Sequence, residues 1–527
     1  MRDAARCAGW IFAAHALCGL ILLTPAYIRP DSVATYSYLR SMVFDRDLSF
    51  YNEWAMFGLT RNGVTFFSEV TPTGALANHW WIGTSMLAAP FYLVLRLFAG
   101  GSDGFFGAYG SLLAWSSVFF TAAAMWVACL FIRSHRAIAI IATVLGTPLF
   151  WYTFRYPLGT HAAGTLCVAL IFASLFVEDR QSCLSGQTRL SVLHGGALVG
   201  LAAGLAIATR LQHFVLIPAI VTVAIVQRRT LRWWIEAISA GALPIAAQAI
   251  AWFAIYGTPL GPLTRGANLQ GVTWMPFQHI ALAEVLFSSY HGLLAWSPIA
   301  GVAIAGWVVG WRRNRDLALT CILMFAGEWL ANGTFDRYFW GGMSFGGRRF
   351  VDLAVPFALG IAWFAERVGT WIAVAIVTPL VGWSVALMVA AQANTISLAR
   401  YVSGSQLFAA VFSIETWRLT PLHTDRNWFV LLPIIAVAAV MFVLRRYAIV
   451  YAAIFVVAVA ICAARTPARA PADIDLKKSA RMGPLLDERR LLGDEVDWAC
   501  AYGDAARVRA TSGEIAAIDR ALAEISR

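Results

Sequence analysis

Long apolar runs separated by short polar breaks set the pattern of this chain. Runs long enough to cross a bilayer lie at 8–28, 107–131, 137–152, 160–177, 194–209, 213–226, 233–256, 292–311, 317–332, 352–366, 371–392, 428–444 and 447–463, about thirteen in all. They predict an all-α polytopic membrane protein, with the shorter runs packed inside the bundle. The run 80–98 departs from the pattern, because Trp80 and Trp81 open it and Pro90 falls in its middle. Were it to cross, the basic clusters Arg133/Arg136, Arg228/Arg229/Arg232, Arg312/Arg313/Arg315 and Arg445/Arg446 would all lie outside. Read as interfacial or re-entrant helices broken at Pro90, with the tryptophans at headgroup level, it leaves all four clusters inside, as the positive-inside rule requires.

That reading places the N-terminus in the cytoplasm, and the first outer loop 29–79 and the segments 257–291, 333–351 and 393–427 on the outer side. Gly9 to Ile28 is long for a cleaved signal, and Pro25-Ala26-Tyr27 is a poor cleavage site, so the first span is expected to be a retained anchor. A transmembrane domain over 1–465 is followed by a small soluble tail, 466–527, also on the outer side. Pro467 and Pro471 mark its linker, and Gly513 to Ile525 is patterned as a short amphipathic helix.

Composition agrees: 59% hydrophobic and 13% charged residues, with a mean hydropathy of +0.67, exclude a soluble globular protein. The net charge of +11 sits largely in short loops, where it sets orientation, and no nucleic-acid motif accompanies it. The eight cysteines show no CxxC pair and read as small core hydrophobes.

The candidate chemistry begins at Asp31, where the first span should leave the lipid. A partly desolvated carboxylate there suits a general base acting on a hydroxyl, although Pro30-Asp31-Ser32 also suits the start of a helix over Val33 to Phe44. Asp45, Asp47, Glu53 and Glu69 follow in the same loop. Arg210 stands at a hairpin tip, and Arg348 and Arg349 close a glycine-rich run from Trp340 to Gly347. Positive charge in short outer loops runs against the orientation rule, so an anion or an internal acid such as Asp336 or Asp352 should compensate it. The arginine fork and the glycine backbone both suit a phosphate.

His79, His161 and His291 also fall on the outer side. A divalent metal held by His79 or His291 with Glu53 or Glu69 lacks any HxH or HxxxH spacing, and hydrogen-bonded core histidines are the plainer reading; metal dependence stays open. Trp274, Tyr290, Trp296, Tyr338 and Trp340 offer flat rings to a sugar face, beside their ordinary role in an aromatic belt. His79, His161, His291, Tyr290 and Trp340 are the expected substrate-lining set.

A retained span, a long outer loop opening with an acid, the Pro90-Phe91-Tyr92 step and a polytopic bundle with a soluble tail together resemble the GT-C polytopic glycosyltransferases. Within them the layout is most similar to the protein mannosyltransferase and lipid A aminoarabinose transferase branch, over residues 1 to about 350. Asp31 matches the family's acid in the first outer loop. Gly200 to Arg210 resembles its glycine-rich helix ending in a basic residue that meets the lipid phosphate, with arginine where lysine is common. Gly146-Thr147-Pro148 to His161 resembles the outer turn that lines the site. The acidic pair of the mannosyltransferases is absent, since Ser32 follows Asp31, so a second acid from Asp45, Asp47 or Glu53 is left open.

The resemblance implies a GT-C-like bundle in the inner (plasma) membrane with its site on the outer side. It implies transfer of a sugar from a polyprenyl-phosphate donor to a hydroxyl of a glycan, lipid or protein, with inversion. Asp31 would be the base, and Arg210, Arg348 and Arg349 would hold the donor phosphate. The residues agree independently: the chain carries no GxGxxG and no soluble nucleotide-binding domain, so a donor would arrive through the membrane. A transporter or flippase of lipid-linked saccharides is the alternative, but the inverted repeats common in such proteins are not apparent.

Overall fold

The structure, a computed structural model, describes residues 2–23, 30–59, 69–99, 103–182, 195–265, 268–269, 272–273, 280–334, 339–417, 427–443 and 447–466. In the tail it describes 482, 485–486, 488–489, 492–493, 495–497, 499–500 and 504–526. Among the described residues, apart from a two-stranded hairpin pairing Asn268–Leu269 with Val272–Thr273 and an isolated bridge between Val70 and Leu76, the secondary structure is helical. A helix stands at every apolar run. Five are long and apolar enough to cross a membrane: Ala108–Phe131, Leu231–Tyr256, Arg315–Thr334, Thr370–Gln392 and Ala448–Arg465. The other apolar runs form shorter helices or shorter apolar stretches of helix.

Apolar helices in lipid gain little from burying hydrophobic surface against one another, so close backbone packing must hold them. The Gly195–Thr209 and Leu231–Tyr256 helices show how. Gly196, Gly200 and Gly204, four residues apart on one face, lie against Trp233, Ala237 and Gly241. A Cβ on Gly200 would stand 1.8 Å from the Ala237 carbonyl oxygen, and one on Gly204 would stand 2.2 Å from that of Gly241. The Ile299–Trp311 and Ala354–Val368 helices repeat the device, since a Cβ on Gly306 would stand 1.7 Å from the Gly360 carbonyl oxygen.

The two ends of the bundle differ in chemistry. At one end Arg313 pairs with Glu366, Ser134 donates to Glu366 at 2.6 Å, and His135 bonds Thr370 at 3.1 Å. Three turns with basic flanks therefore share one end. Arg445 and Arg446 lie outside the described residues. The Arg315–Thr334 and Ala354–Val368 helices that meet there have their other ends beside Asn332 and Asp352, which belong to the polar cluster described below.

Three expectations change. The Gly83–Phe98 helix passes through Pro90 without a break, because Pro90 interrupts neither its path nor its burial against neighbours. Trp80 and Trp81 are buried in protein, Trp81 edge-on to Trp252 at 4.7 Å, and so are not headgroup anchors. The terminal helix spans Ala505–Ser526, longer than its amphipathic pattern, and the tail is tied to the bundle. Tyr290 donates its hydroxyl to Asp497 at 3.1 Å, and the Leu48 amide donates to Thr466 at 2.9 Å.

A Gly200→Ala substitution is expected to force the two backbones apart, costing on the order of 1–3 kcal/mol and lowering the thermal unfolding midpoint in detergent. Gly382→Ala, whose added Cβ meets nothing within 4 Å, is the matched control. Equal midpoints for the two variants would refute the close crossing.

Candidate functional site

Asp31 lies in the first turn of the Pro30–Arg40 helix, where the unsatisfied N–H groups favour a carboxylate. It is exposed, so the partial desolvation expected for a base is not present in this state. One turn later Thr35 donates to the Asp31 carbonyl at 2.7 Å, and Ser85 donates to the Thr35 carbonyl at 2.7 Å. Two residues before Ser85, a Cβ on Gly83 would stand 2.4 Å from the Ala208 carbonyl carbon. The start of the Gly83–Phe98 helix is thus wedged between the Asp31 helix and the last turn before Arg210.

The other loop acids close the loop on itself. Arg40 pairs with Asp45 and donates to Glu53 at 3.2 Å, while Asp47 accepts from the Ser41 hydroxyl at 2.9 Å and the Ser49 amide at 3.0 Å. Glu53 is wholly buried. His79 bonds Glu69 at 2.8 Å and meets Tyr256 edge-on. Among the described residues no group of three or more His, Cys, Asp or Glu side chains is placed to hold a metal ion. The His79, His291, Glu53 and Glu69 set does not fit one: Glu53 is taken by Arg40, and His79 and Glu69 are taken by each other.

The arginines converge elsewhere. Arg210 follows the Gly195–Thr209 helix and donates through Nη1 to Asp352 Oδ2 and to His161 Nδ1, both at 2.9 Å, and through Nη2 to Gln212 at 2.8 Å. His213 Nε2 lies 2.8 Å from the same Asp352 oxygen. Gln212 donates to Glu328 at 3.3 Å and to the Arg349 carbonyl at 3.2 Å, and Arg349 donates to Asn332 at 3.2 Å. Arg348 lies within electrostatic reach of His161 and His291. Gly341, Gly342 and Gly346 hold φ of +77°, +71° and +56°, which folds the run before Arg348 back on itself.

Several atoms of this cluster are buried without a hydrogen-bond partner among the described residues: Asp352 Oδ1, Glu328 Oε1, Asn332 Nδ2 and Arg348 Nε. Buried polar atoms are nearly always satisfied, so a concentration of unsatisfied ones marks a place suited to a polar ligand. Of the five N–H groups of Arg210, three make the bonds above, which leaves two for another oxygen. Asp352 serves Arg210 and His213 rather than Arg348 or Arg349, and Asp336 lies outside the described residues.

The expected sugar-stacking rings face one another instead. Tyr290 stacks on Trp340 at 5.1 Å, His291 meets Trp296 edge-on at 5.0 Å, and Trp296 meets Phe345 at 5.1 Å. All are buried, and Trp274 and Tyr338 lie outside the described residues. The Phe345 amide donates to the Tyr152 hydroxyl at 3.0 Å, and the Tyr152 ring lies tilted against His161 at 4.0 Å, joining this box to the arginine cluster. His291 holds φ +63° and donates from Nδ1 to the Trp340 carbonyl at 3.1 Å. Burial, opposed in part by that bond, pushes the ring down to about 4, with Arg348 adding to the fall.

Sequence reasoning passed over Arg40, Gln212, His213, Glu328 and Asn332. Glu328 carried a signal, being an acid inside an apolar run. Asp352 was expected as a partner for an arginine, but its pairing with His213 carried no signal, since 139 residues separate them.

Burial outweighs the Arg40 pairing and pushes the Glu53 carboxyl from 4.5 up to about 8. The acid is then held protonated in the fold and ionised once unfolded, so its contribution to stability is full at low pH and is lost as pH rises through that interval. Thermal unfolding in detergent should show stability falling between about pH 5 and about pH 8, and Glu53→Gln should flatten that slope. An unchanged slope would place the ionised form in the fold.

No family model matches the chain, and no curated protein matches it. Two crystal structures of ArnT from Cupriavidus metallidurans, one in the apo state and one bound to undecaprenyl phosphate, are similar to it at 16% identity. Each match covers 93% of this chain and 80% of that one, with TM-scores of 0.47 and 0.44. The likeness is one of overall chain path, and the chemistry of the site rests on the residues above.

Proposed function

We propose that this chain is a membrane glycosyltransferase that moves a sugar from a polyprenyl-phosphate donor to an acceptor hydroxyl on the outer face of the inner (plasma) membrane. The observation that carries the reading is the meeting of Arg210, Arg348 and Arg349 with unsatisfied buried polar atoms, next to the helix start that also contacts the Asp31 helix. This cluster lies at the end of the bundle opposite the basic turns, which is the outer end if those turns obey the positive-inside rule.

In the proposed reaction the donor tail lies in lipid and its phosphate takes the free N–H groups of Arg210, with Arg348 and Arg349 behind. Asp31 accepts the proton of the acceptor hydroxyl. The hydroxyl oxygen bonds to the anomeric carbon as the bond from that carbon to the phosphate oxygen breaks, inverting the configuration. The electron pair stays with the leaving polyprenyl phosphate, whose growing charge the arginines stabilise. Asp31 is exposed before the donor arrives, so the ligands themselves supply its desolvation. His79, His161, His291, Tyr290 and Trp340 would support the pocket rather than stack on the sugar.

Asp31→Asn is expected to abolish sugar transfer from a polyprenyl-phosphate donor while the protein stays folded and binds donor; near wild-type transfer would remove Asp31 from the mechanism. Arg210→Ala should weaken donor binding more than acceptor binding, and equal losses would argue for a structural role. A transporter of lipid-linked saccharides would instead move donor between leaflets in vesicles, with no product formed. In a cysteine-free background, labelling from outside is expected at position 101 and not at 134, and the reverse would mean that 80–98 crosses.

A further inference from the structure

His213 lies between two acceptors. Its Nδ1 stands 2.7 Å from the Ala206 carbonyl, and its Nε2 stands 2.8 Å from Asp352 Oδ2, which also accepts from Arg210. A carbonyl cannot donate, so Nδ1 carries a proton, and Nε2 faces a carboxylate oxygen that already accepts from a guanidinium, the arrangement that an imidazolium completes by donating from both ring nitrogens. His161 is the opposite case: its Nδ1 accepts from Arg210, so that ring is neutral. The fold makes room for the pairing at Gly164, where a Cβ would stand 2.7 Å from Asp352 Oδ1 and 2.8 Å from His213 Cε1. Asp352 and His213 are 1% and 0% exposed, whereas Arg210 keeps 14%.

We propose that His213 is a positioning residue: its imidazolium locks Asp352, and Asp352 in turn aims the free edge of Arg210 at the phosphate of the donor. The inference rests on the donor reading above and deepens it. A neutral His213 would leave Asp352 with one cation, free to rotate toward Arg210 and take up the N–H groups meant for phosphate. The charged and titratable groups facing His213 are Asp352, Arg210 and Glu328. From the His161–Ser182 helix come His161, and Cys167 by way of Asp352.

The test uses the full chain in lipid nanodiscs and a polyprenyl phosphodiester, whose single charge does not titrate over the range, so that any pH dependence belongs to the protein. Affinity is measured from about pH 6 to about pH 9. Wild-type affinity is expected to fall about tenfold or more with rising pH, the weight of a charge-assisted hydrogen bond. His213→Gln should bind about tenfold more weakly at the low end and show a flat profile. Wild-type affinity and pH profile in His213→Gln, with binding lost in Arg210→Ala, would overturn the positioning role and leave the donor reading standing. Undiminished binding in Arg210→Ala would overturn both. A wild-type profile flat across the range overturns the proposal even if His213→Gln fails to fold.

Discussion

A carboxyl group removed from water must be met by hydrogen-bond donors, and at Asp352 that requirement ties distant parts of the chain together. Its Oδ2 takes both Arg210 and His213. Those two come from the end of the Gly195–Thr209 helix and the turn after it, while Asp352 precedes the Ala354–Val368 helix and Gly164 of the His161–Ser182 helix packs against it. Removing either partner would leave a carboxyl oxygen that is 1% exposed without one of its two donors. The shared carboxylate thus holds Arg210 in place within the fold.

A second polar network does the same for the first outer loop. Arg40 gathers Asp45 and Glu53, and Asn78 donates to the Ala34 carbonyl at 3.0 Å while Tyr38 donates to that of Trp80 at 3.0 Å. Thr71 and Thr73 both donate to the Ile255 carbonyl, so the loop is also pinned to the end of the Leu231–Tyr256 helix. The polar residues that look reactive in the sequence are thus largely the means by which a long loop keeps one shape beside the bundle. Asp31 differs from them in staying exposed at the loop's opening.

The positions of the helices were legible because a 3.6-residue period is unnecessary for a helix in lipid; an apolar run of sufficient length is signal enough. Arg210, Arg348 and Arg349 were legible because positive charge in short loops on that side needs a reason. Asp352 was legible as an acid that could answer an arginine, and Arg210 takes it; Gln212 and Asn332 were not legible, being single polar residues whose spacing in sequence follows no motif. The loop acids misled for a related reason: an acid reads alike whether it faces solvent or, as Glu53 does, a buried arginine. The tryptophans at 80 and 81 misled because a belt residue and a packed one share the same sequence context.

Touching backbones have a mechanical consequence at Arg210. The helix that ends there meets its neighbour at Gly196, Gly200 and Gly204 with no side chain to act as a cushion, so the pair can tilt or translate only as a single strut. A guest molecule cannot draw the arginine toward itself by bending that strut. A donor of the kind proposed above would have to come to rest at the height in the bilayer where the guanidinium already hangs, and the depth of its anionic headgroup, hence the length of the link between headgroup and tail, would then be a dimension that this fold measures.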